Sequence, residues 1–219
     1  MKRWKNRKMF VYIMVGAACL LAAFTGGQYE KRFRLQRQIA DKIIRFHVIA
    51  NSDTGEDQEL KLAVRDAVGA ALGERLAGAD SREASEKILE REIPRIEQTA
   101  REVVAEAGYD YEVTASLTET DFPVKTYGSY TFPAGEYEAL EIVIGEGAGH
   151  NWWCVMYPNM CFSGSVYEVV DEAAESSLKE VLSAEEYEEV FSSGNYRVRF
   201  RYLDFLNELC GQNLTGNEE

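Results

Sequence analysis

The chain has 219 residues, with 37 acidic and 24 basic side chains and a formal net charge of −13 at pH 7. A polyanion of this size is a poor ligand for nucleic acid or for an anionic membrane surface, because both are themselves negatively charged. The length is sufficient for one domain with a proper core, and no internal repeat is evident.

Residues 1–27 carry the pattern of an export signal. Five of the first eight residues are basic, and an uncharged, mostly apolar run follows from Met9 to Phe24. Sixteen helical residues span roughly 24 Å, short of the roughly 30 Å hydrocarbon core, which favours a cleaved signal peptide over a membrane anchor. In either form the positive charges hold the N-terminus inside, so the remainder is expected to be extracytoplasmic.

Residues 28–42 are rich in basic side chains, with Leu35 and Ile39 at helical spacing, and predict a stalk. A single domain over residues 43–210 and a polar tail over 211–219 follow. The domain opens with the apolar, β-branched run Ile43–Ala50, which predicts a strand that ends at the turn residues Asn51–Gly55.

Two helical segments come next. Apolar residues recur every fourth position from Leu60 to Leu76, which predicts a helix from about Glu56 with Asp53 and Glu56 as its capping box. Asp80 and Glu83 form a similar capping pattern for the second segment. We expect Pro94 to break or kink that segment and Gly108 to close it.

After Gly108 the apolar period changes to two, which predicts strands over residues 111–117, 137–144 and 151–157, the second of them central. A terminal strand over 196–202 and a helix over 203–209 complete the pattern. Residues 168–190 are strongly acidic and predict a solvated segment. The fold class is therefore α+β, with a mainly antiparallel sheet packed against two or three helices after the N-terminal signal or anchor helix.

The glycines Gly145, Gly147 and Gly149 superficially resemble a phosphate-binding loop. Such loops lead into a helix N-terminus, whereas here Glu146 lies inside the loop and a predicted strand follows. The spacing instead favours a tight turn between two strands. No cofactor is predicted.

His150 and Cys154 are the candidate catalytic pair, since a thiol needs a neighbour such as an imidazole to lower its pKa. Four strand residues would place them on one face but about 13 Å apart, too far for a hydrogen bond. No further ligands complete a zinc site. Cys154 and Cys161 flank the turn at Pro158 and form a candidate disulfide, with two buried thiols as the alternative.

Trp152 and Trp153 are adjacent, so in a strand they point to opposite faces. Two interpretations remain open. Either each tryptophan fills one of two packed layers, or one is exposed near Tyr127 and Tyr130 as part of an interaction hot spot.

Two blocks of sequence resemble the stage II sporulation protein R family of endospore-forming bacteria. One is IIRFHVIANSDTGEDQELKLAVRDAV, and the other comprises FPVKTYGSYTFPAGEYEAL and GEGAGHNWWCVMYPNMCF. The acidic segment and the sequence Pro158-Asn159-Met160 depart from the family pattern. Within the first block the following residues match that pattern: Arg45, Ala50, Asn51, Ser52, Asp53, Asp57, Gln58, Leu60, Lys61, Arg65 and Asp66.

The resemblance implies an exported signalling protein rather than an enzyme. Family members are made in the forespore and exported into the intermembrane space, where they activate a membrane-embedded aspartic protease that processes the pro-form of the mother-cell sigma factor, sigma E. The alternative is a cysteine-dependent hydrolase of peptide or cell wall that uses Cys154 and His150. The following residues are the hypothetical partner-binding set: Asn51, Ser52, Asp53, Tyr127, Tyr130, His150, Asn151, Trp152 and Trp153.

Overall fold

A computed structural model describes residues 2–76, 78–160 and 172–192. The helices are α1 (Lys2–Ala40), α2 (Gly55–Leu76), α3 (Arg82–Glu106), α4 (Glu172–Val181) and α5 (Ala184–Ser192). The strands are β1 (Ile44–Ile49), β2 (Val113–Phe122), β3 (Lys125–Tyr127), β4 (Tyr130–Phe132), β5 (Gly135–Ile144) and β6 (Asn151–Tyr157). The predicted terminal strand and helix, the polar tail and Cys161 lie outside the described residues.

The main sheet has the strand order β2-β5-β1-β6. The pairs β2–β5 and β1–β6 are antiparallel, and only β1–β5 is parallel. This topology confirms the α+β class, the mainly antiparallel sheet and the central position of β5. A small two-stranded sheet, β3–β4, is separate.

The main sheet separates two apolar cores because successive side chains of a strand point to opposite faces. The helices α2 and α3 cover one face, where Trp152 packs edge-on against Phe46 with ring centroids 5.5 Å apart. The end of α1, the β3–β4 hairpin, α4 and α5 cover part of the other face, where Trp153 lies beside Phe122. The two adjacent tryptophans therefore belong to different layers.

Both predicted capping boxes are wrong by one residue. Thr54 caps α2 by accepting a hydrogen bond from the Asp57 amide at 3.3 Å, and Ser81 caps α3 by accepting from the Ala84 amide at 3.2 Å. Asp53 is unavailable to cap α2 because its carboxylate accepts from His150 instead.

Pro94 does not break α3, which continues through it as one helix. Leu89 before the proline and Ile96 and Ala100 after it are buried in the same core. Packing on both sides offsets the roughly 3 kcal/mol local cost of an internal proline. Gly108 ends the helix as predicted, with a positive φ of 86°.

The acidic segment is not wholly solvated as predicted. Leu178, Leu182 and Val190 are buried in the second core. Glu186 is also buried, and its carboxylate lies 2.6 Å from Lys42 Nζ. Apolar residues at helical spacing within the acidic run bury one face of α4 and α5, whereas Glu180, Glu185 and Glu188 are exposed.

The N-terminal region forms one continuous helix, α1, which includes the predicted stalk. Leu35 and Ile39 near its end are buried in the second core. No helix among the described residues is both long and apolar enough to cross a membrane.

Candidate functional site

Two loops meet at the end of β1 and form a continuous surface. The loop between β5 and β6 crosses over this end, because β1 lies between those two strands in the sheet. It is held by backbone hydrogen bonds from Gly149 N to Ala50 O at 3.0 Å and from Ala148 N to Asn51 O at 3.1 Å. We call residues 50–54 and 145–150 together the paired loops.

Asn51 joins the two loops through its side chain. Its Oδ1 accepts from the Glu146 amide at 3.0 Å, and its Nδ2 donates to Asp57 Oδ2 at 2.9 Å. Ser52 Oγ donates to the same carboxylate oxygen at 2.5 Å. The Ser52 hydroxyl and then the Asn51 amide hold the pKa of Asp57 below its usual range, because both stabilise the charged form.

Asp53 and His150 form the exposed rim of the paired loops. Asp53 Oδ1 accepts from the His150 amide at 2.6 Å and lies 2.5 Å from the ring Nδ1. Their side chains are 54% and 81% exposed, respectively, so both are accessible to a partner. The His150 ring, followed by its amide, holds the pKa of Asp53 below its usual range.

The glycine loop is a tight connection, as the sequence predicted. Gly145 and Gly147 have φ of 59° and 61°, a conformation that side chains disfavour. Gly149 does not have a positive φ, but it lies against the Ser52 carbonyl. The glycines therefore shape a tight loop between β5 and β6.

Asp57 and Lys61 secure the paired loops from below. Both are buried on α2, and Lys61 Nζ donates to His150 O at 2.9 Å. Burial lowers the pKa of Lys61. The sequence analysis gave neither residue a role. Both lie on the same helix face as the apolar Val64 and Val68, and this spacing could have indicated that they are buried.

Of the other predicted partner residues, Asn151 adjoins the paired loops, and the remaining four lie in the cores, on the β3–β4 hairpin or half-buried in β6. Trp152 is 8% exposed and Tyr130 is 3% exposed, so both belong to the cores. Tyr127 lies on the β3–β4 hairpin, where its hydroxyl accepts from Arg45. Trp153 is half-buried and stacks on His47 at 4.9 Å, while Asn151 begins β6 opposite Ile49.

The candidate catalytic residues have different environments. His150 contacts Asp53 on the surface, whereas Cys154 is 1% exposed within the sheet. No group of three or more His, Cys, Asp or Glu side chains in the described ranges could hold a metal ion. The candidate Cys154–Cys161 disulfide stays a prediction.

A family model described as stage II sporulation protein R matches residues 40–167, more than half of the chain. The chain belongs to the stage II sporulation protein R family. The stage II sporulation protein R of Bacillus subtilis (strain 168) is 38% identical over 124 residues. That match covers 57% of this chain and 55% of the relative, about half its length. No solved structure matches the chain significantly.

The family match contains both halves of the paired loops and the α2 residues that support them. Replacing Asp57 with asparagine should lower stability at pH 7 by about 2 kcal/mol, because a charged acceptor of two hydrogen bonds is lost. The lowered folded-state pKa of Asp57 means that this difference is fully present above the unfolded pKa of about 4. It should vanish as the pH falls through the folded-state pKa.

Urea unfolding of both proteins between pH 7 and pH 2 measures this difference. Glu59→Gln is the matched control, since Glu59 is exposed on the same helix, and it should change stability by less than about 0.5 kcal/mol. A difference between wild type and Asp57→Asn that persists unchanged at the lowest pH would contradict the assigned role of the carboxylate.

Proposed function

We propose that this member of the stage II sporulation protein R family is an exported signalling ligand for endospore formation. It is made in the forespore and acts in the intermembrane space. There it activates a membrane-embedded aspartic protease that processes the pro-form of sigma E. Family membership supports the sporulation role, and the protein itself performs no catalysis in this proposal.

The paired loops are the observation that carries the proposal of a recognition role. They present Asp53 and His150 to solvent, while Asn51, Asp57 and Lys61 fix the backbone beneath them. A surface ordered before binding loses less entropy when a partner docks. Binding that favours the active conformation of the protease would shift its population without any chemical step by the ligand.

The net negative charge of the chain beyond residue 27 supports membrane contact through the N-terminal segment alone. Removing residues 1–27 would delete five cations and no acid, taking the formal charge from −13 to −18. An anionic lipid surface repels such a domain. The proposed activator therefore reaches the bilayer through its protein partner and through residues 1–27 where these are retained.

The deciding experiment mixes the purified full chain with the reconstituted protease and its sigma-factor substrate. Cleavage should appear on adding this chain alone. The double variant Asp53→Ala, His150→Ala should reduce the cleavage rate about thirtyfold at subsaturating ligand, the effect of losing an interface hot spot of roughly 2 kcal/mol.

Glu90→Ala is the matched control, because Glu90 is exposed on α3, away from the paired loops. It should process at the wild-type rate. Circular dichroism confirms that the double variant is folded. A folded double variant with the wild-type rate would remove the paired loops from the interface, and absence of cleavage with wild type would contradict direct activation.

A further inference from the structure

The outer edge of β2 is protected over only half its length. The strand pairs with β5 on one side and is the last strand of the sheet on the other. At its start α3 covers the edge, where Glu97 Oε1 accepts from the Ala115 amide and Arg101 Nη2 donates to Val113 O, both at 3.1 Å. These contacts show that the backbone groups of residues 113 and 115 point outward.

The remainder of that edge is open. Outward and inward groups alternate along an antiparallel strand, so the amide and carbonyl of Leu117, Glu119 and Asp121 also point away from β5. Within the part of the chain that the structure describes, no side chain or backbone group bonds to them in the way that α3 bonds to the strand's start. An edge of this kind is a template for an added strand.

A groove of about 970 Å³ lies between α1 and the paired ends of β2 and β5. Its lining includes Phe33 and Arg37 of α1, Glu119 and Asp121 of β2, and Gly135 and Tyr137 of β5. Gln36 keeps α1 in place beside the groove by donating to Glu136 O at 3.1 Å. Glu119 and Asp121 of the open half therefore also border this groove.

The open half is also acidic in a way that the fold does not explain. Glu119 lies directly opposite Glu138, and Asp121 directly opposite Glu136, whereas like charges at such positions destabilise a sheet. Arg82 contacts Glu138 at 2.5 Å, but the other three acids have no ion pair among the described residues. Burial raises the pKa of Glu138, and Glu119 adds to that effect. Cations from a partner would relieve this repulsion.

We propose that residues 117–121 of β2 are a docking edge for an extended, basic segment of a partner protein. The segment adds as a strand, which supplies backbone hydrogen bonds to Leu117, Glu119 and Asp121. Its lysine or arginine side chains meet Glu119, Asp121 and Glu136. This edge is separate from the paired loops. The protein therefore carries a second interaction surface, which is specific for extended, positively charged segments.

Glu119→Pro tests the backbone contribution. Its amide points outward, so proline removes no bond of the β2–β5 ladder and is tolerated at such an edge position. Glu119→Gln is the matched variant that keeps the amide and removes only the charge. The probe is a short peptide of alternating lysine and valine, with an alternating glutamate and valine peptide as its control.

The lysine peptide should bind the full chain and slow amide hydrogen exchange at residues 117–121. Glu119→Pro should weaken binding by about tenfold at any salt concentration, because backbone hydrogen bonds are lost. Glu119→Gln should weaken it mainly at low salt, where charge attraction is strongest. The glutamate peptide should not bind.

Equal binding of the lysine peptide to Glu119→Pro would overturn the proposal, as would protection elsewhere in the chain or equal binding of the two peptides. Asp121→Pro keeps the test decisive if Glu119→Pro does not fold. Its amide also faces outward, and it lies next to the last residue of β2, where the ladder is least affected.

Discussion

Replacing Gly149 with alanine is expected to destabilise the protein by about 3 kcal/mol, although it adds one methyl group. A Cβ at this position would lie 2.5 Å from the carbonyl carbon of Ser52 and closer still to its oxygen. Both are backbone atoms, so no side-chain rotation relieves the contact. The two loops would have to separate, which would weaken the hydrogen bond from Gly149 N to Ala50 O.

The same substitution should abolish activation of the protease in the proposed function. Loop separation would displace His150, which follows Gly149 directly, from Asp53. Denaturant unfolding measures the stability change, and the reconstituted cleavage assay measures the functional one. Unchanged stability would show that the two loops are not held at this distance.

Gly73→Ala provides a control with the same chemical change. Gly73 lies within α2, and a Cβ there would meet nothing within 4 Å. Alanine should therefore stabilise the protein by about 0.5–1 kcal/mol through its higher helix propensity. The opposite signs at Gly149 and Gly73 would separate a steric effect from a general effect of adding a methyl group.

Local sequence patterns predicted some elements of the fold correctly and others incorrectly. Periodicity placed β6 at Asn151–Tyr157 and ended α2 at Leu76, because alternation and four-residue spacing are local signals. The cap of α2 was misassigned because the Asp53 carboxylate bonds His150, 97 residues away, and no local pattern records that competition.

Only the separate halves of the candidate site could be predicted, because local sequence patterns do not show which loops meet in the fold. The turn at Asn51–Asp53 and the segment at His150 were each visible, but their union depends on the loop from β5 crossing β1. Tyr127 and Tyr130 were grouped with them by proximity in sequence and aromatic character, whereas the β3–β4 hairpin carries them to another part of the molecule. Strand order is a long-range property that composition does not encode.

Arg45 is the residue whose environment local sequence reasoning could least anticipate. It lies in β1 and is fully buried, with its guanidinium carbon 4.3 Å from the ring centre of Phe122 and 5.1 Å from that of Tyr137. Nε donates to Cys154 O and Nη2 to the Tyr127 hydroxyl, both at 3.0 Å. Nη1 has no hydrogen-bond partner within the described ranges.

Burial lowers the pKa of Arg45, but an arginine remains protonated in a protein. Among the described residues its charge is therefore stabilised by aromatic faces and two oxygen acceptors rather than by a carboxylate. Arg45→Ala should cost about 4 kcal/mol, because it leaves a cavity among the rings and removes the donor that Tyr127 and the Cys154 carbonyl share.

Arg45→Met separates packing from charge. Methionine fills much of the same volume and removes a desolvated cation, so it should cost only about 1–2 kcal/mol, the penalty for the two acceptors left behind. Denaturant unfolding followed by tryptophan fluorescence measures both variants, with Arg91→Met on the exposed surface of α3 as the control. If Arg45→Met is as destabilising as Arg45→Ala, the cation itself holds the β3–β4 hairpin on the sheet. If it recovers most of the loss, the arginine acts chiefly as a long side chain that fills the aromatic cage.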